Sequence, residues 1–241
     1  MVYFVSDLHL STSDEGKVRE KIFITWLNDI KYNADKIFLL GDMFNFWFEY
    51  EKVVPHGYTR FLGKLAELID EGIEIHYFVG NHDMWINDYF SNDIGLKVHC
   101  DMAEIEIGPC RFFLGHGHEL TKNIPDKLLF KIYNNALFRN MLGAIHPRWG
   151  ISLGNYLSEK NNKKNVSDIM RSDGNNYQMD FARQQLKNKH YDYFIFGHTH
   201  LPSIQKLSSD SSYINTGDWI NFLSYAVFDG NDVQLKYYSK E

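Results

Sequence analysis

Three short apolar runs, VYFVSD, KIFLLGD and IHYFVGN, end at residues 7, 42 and 81, each closing on a polar residue. Unbroken apolar character over four or five positions, bounded by polar groups, marks a strand buried on both faces. Between these runs the spacing becomes helical, with Val18, Ile22, Trp26, Leu27 and Ile30 in one segment and Phe61, Leu62, Leu65, Leu68 and Ile69 in the next. Gly72 is placed to end the second helix. Alternation of strand, helix and strand predicts an α/β architecture with partly parallel pairing.

Beyond residue 97 the pattern changes. AEIEIGPCRFFLGH reads as a hairpin turning at Gly108-Pro109, and YDYFIFGH, SSYINTGD, LSYAVFDG and VQLKYYS supply further strands. Two sheets packed together and flanked by helices accommodate these runs better than one. Residues 121–189 carry several helical runs and no strand-like one. Because they lie between two strands, they predict a helical insertion within one domain spanning 1–241. The polar stretch SEKNNKKN inside it is expected to be mobile.

Composition narrows the function classes. A net charge of −6 over 241 residues argues against a nucleic-acid partner. No apolar run reaches the roughly 18 residues of a membrane span. The opening MVYFVSDLHL lacks the basic start and long apolar region of a signal peptide, so a cytoplasmic location is expected. Cys100 and Cys110 have no metal-binding spacing and are expected to be free thiols.

The candidate chemistry lies at the strand ends: Asp7-x-His9, Gly41-Asp42, Gly80-Asn81-His82-Asp83, His116 and Gly197-His198-x-His200. Side chains at the carboxyl ends of strands in an α/β sheet face a common crevice. Taken singly, each word has an ordinary reading as a turn, a helix cap or a pair of surface imidazoles. Together, in order and each closing an oily strand, they predict a metal site. Carboxylate, amide oxygen and imidazole suit divalent ions such as Mn²⁺, Fe²⁺ or Zn²⁺. Cysteine is absent from the set, which argues against a structural zinc site.

This series of words resembles that of the metallophosphoesterase (calcineurin-like) superfamily, over residues 3 to about 220. The resemblance implies a four-layer α-β-β-α sandwich and two divalent metal ions, Mn²⁺ being expected. One ion would take Asp7, His9 and His200, the other Asn81, His116 and His198, with Asp42 bridging. Such a pair, about 3.5–4 Å apart, lowers the pKa of a shared water and clamps phosphoryl oxygens. His82 would protonate the leaving oxygen or stabilise its charge, and Asp83 would hold the His82 ring.

Within the superfamily, LLGDMFNFWFEY and GDWI at 217–220 are similar to phrases of the UDP-2,3-diacylglucosamine diphosphatase family of lipid A synthesis. That resemblance implies cleavage of the substrate's diphosphate to UMP and 2,3-diacylglucosamine 1-phosphate, beneath a helical lid formed by 121–189. Asn81, His82, Ser158, Asn162 and Lys164 would contact this lipid-linked nucleotide. Residues 121–164 hold eight basic and two acidic residues, a local +6 that leaves −12 on the rest of the chain. Basic helices with an apolar face suit peripheral contact with the cytoplasmic side of an anionic inner membrane; the same charge could instead hold the substrate's phosphates. Three positions depart from the family's pattern. His118 stands where an acid is usual after His-Gly, Asn45 replaces an aspartate, and His82 replaces the arginine of the enterobacterial form. Two alternatives therefore stay open: a nucleotide phosphodiesterase or phosphatase of broader specificity, and a binding scaffold that has lost catalysis.

Overall fold

The computed structural model describes residues 1–133, 135–161 and 176–239. Strands β1 (Val2–Val5), β2 (Lys36–Leu39), β3 (Glu74–Phe78) and β4 (Lys97–His99) run parallel in one sheet. β10 (Ser224–Phe228) pairs antiparallel with β1, and β11 (Val233–Tyr237) with β10. The second sheet has the order β5-β6-β7-β9-β8, built from Ala103–Ile107, Cys110–Leu114, Tyr193–Phe196, Ser212–Asn215 and Ser203–Lys206. Its central strands β6, β7 and β9 are parallel, and both edge strands are antiparallel.

Alternation along the strands assigns each face to a layer. Tyr3 and Val5 of β1 face α1 (Asp14–Ile30) and α2 (Thr59–Asp70), in a core that includes Phe23, Trp26, Phe61 and Leu65. Val2 and Phe4 face the other way, into a core shared with Phe112, Leu114, Ile195 and Ile214 of the second sheet. Tyr193 and Ile195 of β7 join that inner core, while Phe194 and Phe196 turn outward onto Met179 and Ala182 of α6 (Asn176–Gln185). The result is four layers, helix, sheet, sheet and helix. α1 starts at Ser13, whose side chain accepts from Gly16 N, with Asp14 and Glu15 in the first turn. α2 gives way to Gly72 at φ +94°, as its position in the sequence implies.

Between β6 and β7 the chain forms α3 (Ile124–Tyr133), α4 (Ala136–Ala144) and α5 (Pro147–Asn161) before α6. Phe46, Phe48 and Trp85 make an aromatic platform beneath them, packed by Tyr133, Phe138 and Leu142. Phe46 comes so close to Gly154 of α5 that a Cβ there would meet the ring at 2.3 Å. α6 also lies in the 121–189 span, yet it serves as the outer layer of the second sheet. The stretch SEKNNKKN is helical through Asn161, and its remainder lies outside the described residues. Cys100 and Cys110 are free. β4 and β8 are strands that the hydrophobic pattern does not predict.

The inner core carries a specific sensitivity. Phe4 is fully buried and stacks on Phe38 at 5.1 Å and Phe112 at 5.7 Å, tying the two sheets. Phe4→Ala is expected to lower stability by about 3–5 kcal/mol, read as a fall in the urea midpoint with an unchanged slope.

Candidate metal centre

Six non-glycine residues among those described have a left-handed backbone, and five are Asp7 (φ 54°), His9 (45°), Asp42 (54°), His198 (70°) and His200 (60°). This conformation costs an L-residue about 1–2 kcal/mol, so it persists only where the surroundings enforce it. Backbone pairing continues past the strand ends to do so. Asp7 N donates to Gly41 O at 3.1 Å, His9 N to Asp42 O at 3.0 Å and Leu10 N to Met43 O at 2.9 Å. Arg19 donates to the carbonyls of Leu8 and His9 at 3.1 and 2.7 Å, holding the first loop from α1. Gly80 leaves room for the aspartate beside it: a Cβ there would stand 2.2 Å from Asp42 Oδ1.

These loops bring the predicted ligands together. Asp7, His9 and His200 offer ligand atoms within 4.8 Å of one another, and so do Asp42, His116 and His198. A third group, His9, Asp42 and His82, overlaps both. Asp42 Oδ2 lies 3.2 Å from His116 Nε2 and 3.8 Å from His9 Nε2, between the two sets. Asp7 Oδ1 lies 3.5 Å from His200 Nε2 and 3.7 Å from His9 Nε2.

The donor set fits divalent cations. Asp7 Oδ1, Asn81 Oδ1 and His116 Nε2 are buried without a hydrogen-bond partner among the described residues. Buried polar atoms are ordinarily satisfied, and a cation would satisfy all three. Burial pushes the His9 ring down to about 4 and holds His198 well below the ordinary imidazole range, keeping both neutral and able to ligate. For His116 burial acts in the same direction, but the neighbouring Asp42 carboxylate outweighs it and lifts the ring to about 10. A cation and that proton compete for the same nitrogen.

The rings are aimed from behind. His116 Nδ1 donates to Leu40 O at 2.8 Å, and His200 Nδ1 pairs with Asp218 Oδ2 at 3.1 Å, which turns each Nε2 toward the centre. Asp218 is fixed in turn by the backbone N–H groups of Ile220, Asn221 and Phe222. The phrase GDWI is visible in the sequence, but the role of its aspartate is not.

The expectation for Asp83 is corrected. Its carboxylate accepts from Met43 N at 2.9 Å, Gly80 N at 2.6 Å and the Tyr77 hydroxyl at 2.5 Å. The His82 ring is held instead by Asn45 O, 2.8 Å from Nδ1. Asp83 is fully buried, and its oxygens are committed to bracing the Gly80 and Met43 loops. His118 is buried beside the centre, 5.4 Å from His116 between ring centroids, but belongs to none of the three ligand groups. Ser158 is buried in the later part of α5, and Asn162 and Lys164 lie outside the described residues.

Asp218→Asn is expected to weaken Mn²⁺ binding about 10–100-fold, the usual effect of losing a carboxylate behind a histidine ligand; calorimetric titration of the purified variant measures it. An affinity equal to that of the unsubstituted chain would show that Asp218 does not aim His200.

The family model for calcineurin-like phosphoesterases matches residues 1–202. A UDP-2,3-diacylglucosamine hydrolase of Porphyromonas gingivalis is 36% identical, over 98% of this chain and 96% of its own length. One of Vibrio atlanticus is 25% identical, over 97% and 96%. Among solved structures, the phosphoesterase YfcE from E. coli is 15% identical and aligns with a TM-score of 0.47, over 96% of this chain and 90% of that one. The chain belongs to the calcineurin-like phosphoesterase family and, within it, to the UDP-2,3-diacylglucosamine hydrolases.

Proposed function

We propose that the protein hydrolyses the diphosphate of UDP-2,3-diacylglucosamine, releasing UMP and 2,3-diacylglucosamine 1-phosphate. The observation that carries this reading is a single carboxylate, Asp42, set between two histidine-bearing ligand groups, in a chain that matches a named hydrolase of this substrate over nearly its whole length. Asp7, His9 and His200 would hold one divalent ion, and Asn81, His116 and His198 the other, with Asp42 shared. Bound there, the ions supply Lewis acidity toward the phosphoryl oxygens and acidify the attacking water. Mn²⁺ matches this mixture of oxygen and imidazole donors.

The remaining work falls to the chain. With His82 Nδ1 committed to Asn45 O, its Nε2 is the nitrogen free to serve the leaving oxygen, as an acid or as a stabiliser of its charge. His82 is half-buried at the edge of the centre, its ring 4.9 Å from that of His9, which suits a group that meets substrate. Asp83 acts through the loops it braces.

Helices α3 to α5 are read as the lid of the 121–189 insertion. An apolar hollow of about 430 Å³ between α3 and α4, lined by Leu128, Ile132, Leu137, Phe138 and Met141, supports contact with an acyl chain. Ile124, Leu137, Met141, Trp149 and Tyr156 are exposed on these helices alongside Lys127, Lys131 and Arg148. That pairing of apolar and basic groups supports peripheral contact with an anionic membrane. No described helix is long and apolar enough to cross one. Ser158, Asn162 and Lys164 remain proposed substrate contacts.

Purified protein supplied with Mn²⁺ is expected to release UMP from UDP-2,3-diacylglucosamine, and His116→Ala to lower that rate by at least about 10³-fold, followed by chromatography of UMP. Turnover of a generic phosphodiester but not of the lipid nucleotide would favour the broader phosphodiesterase. Neither activity, with metal shown to be bound, would favour the scaffold.

A further inference from the structure

β6 runs into His116-Gly117-His118. Gly117 has φ +92°, and a Cβ on it would stand 2.4 Å from Gln178 Nε2, so this turn needs glycine. The turn sends the two imidazoles to different tasks. His116 carries its Nε2 to Asp42. The His118 ring lies against His116 and His198 on one side, at 5.4 and 6.2 Å between centroids. On its other side it meets Phe130 of α3 edge to face, at 5.1 Å and 80°. It is 5% exposed, and its buried Nδ1 makes no hydrogen bond among the described residues, its polar neighbour being Glu119 Oε2 at 3.4 Å. The ring thus meets the two imidazoles and α3 by packing, while its polar neighbour is the residue next to it in sequence.

α3 has a second tie near its end, where Trp85 Nε1 donates to Tyr133 O at 3.0 Å and the two rings meet at 5.5 Å. Trp85 fixes the end of the helix to the aromatic platform, and His118 fixes its middle to the ligand imidazoles. Leu128 and Ile132, two residues either side of Phe130, line the apolar hollow. An aspartate at position 118 could not make this contact, because it would set a short charged group against a phenyl ring.

We propose that His118 is a positioning residue that sets substrate preference: through Phe130 it seats α3 at a fixed distance from the ligand cluster, and so places the apolar hollow where an acyl chain of the substrate enters. This rests on the lipid nucleotide being the substrate. The coupling runs through ring packing, so an aromatic replacement keeps it and a polar one does not.

The test uses the full chain with Mn²⁺ and the variants His118→Ala, Phe130→Ala, their double, His118→Phe and His118→Asn. Amide hydrogen exchange over 124–133 is read without substrate, and kinetics are read with UDP-2,3-diacylglucosamine and with bis(p-nitrophenyl) phosphate. Each alanine variant is expected to speed exchange in α3 and to raise KM for the lipid nucleotide about five- to tenfold, the scale of one aromatic pair, with smaller changes in kcat and in KM for the soluble diester. The double variant should be no worse than either single one, and His118→Phe should restore KM where His118→Asn does not. Additive losses, equal KM changes for both substrates, or rescue by His118→Asn instead would overturn the proposal. Should the unsubstituted chain ignore the lipid nucleotide, the substrate reading falls and the preference with it. Unaltered exchange in both alanine variants would remove the seat itself, whatever the substrate.

Discussion

Asp42 combines two unfavourable conditions, a left-handed backbone and a carboxylate out of water beside a second one, Asp7. Left alone, such a residue would relax its backbone or take up a proton. It is prevented from doing so on every side. Its carbonyl accepts from His9 N, its Oδ1 accepts from His82 N, and Gly80 supplies the space against which it rests. Only Oδ2 is left to face His116 and His9. The other proposed ligands converge on that one oxygen or on the space beside it.

The same contacts close one end of the sandwich. His116 comes from the second sheet, yet its Nδ1 is satisfied by Leu40 O of the first. His198 N donates to Asp7 Oδ2, and Trp219 N to Asp7 O, so loops from the second sheet are tied to the end of β1. Between the layers the sheets are joined by apolar rings. At the strand ends they are joined by polar groups whose remaining lone pairs converge. The centre is thus the polar counterpart of the core, and the strain of five left-handed residues is borne by the packing behind them.

The strands that carry the proposed ligands are legible because they are buried on both faces, and unbroken apolar runs as short as VYFV and YFIF fit a buried strand better than a helix. β4 and β8 are not legible. They are edge strands of three and four residues with largely exposed or half-exposed side chains, and backbone pairing defines them more than pattern does. The proposed ligand set can be read because residue type and strand end coincide. The groups behind it are harder to see, since Leu40 and Asn45 act through carbonyls that any residue owns. Asp83 misleads for a related reason: adjacency to His82 in sequence carries no information about where a short buried side chain points, and two backbone N–H groups and a tyrosine hydroxyl claim it. His118 reads as a departure from a motif, and its partner Phe130 becomes visible only when the helix is placed.

Sharing of one carboxylate is the claim on which the chemistry rests, and it is open to direct measurement. Titration of the metal-free chain with Mn²⁺, with bound metal counted independently, should give two ions per chain. Asp42→Asn keeps the side-chain shape and an oxygen for His82 N, but removes the charge both ligand groups share. It should weaken both binding steps by at least about tenfold. Two ions bound to Asp42→Asn with unaltered affinities, or a single ion bound to the unsubstituted chain, would contradict the account.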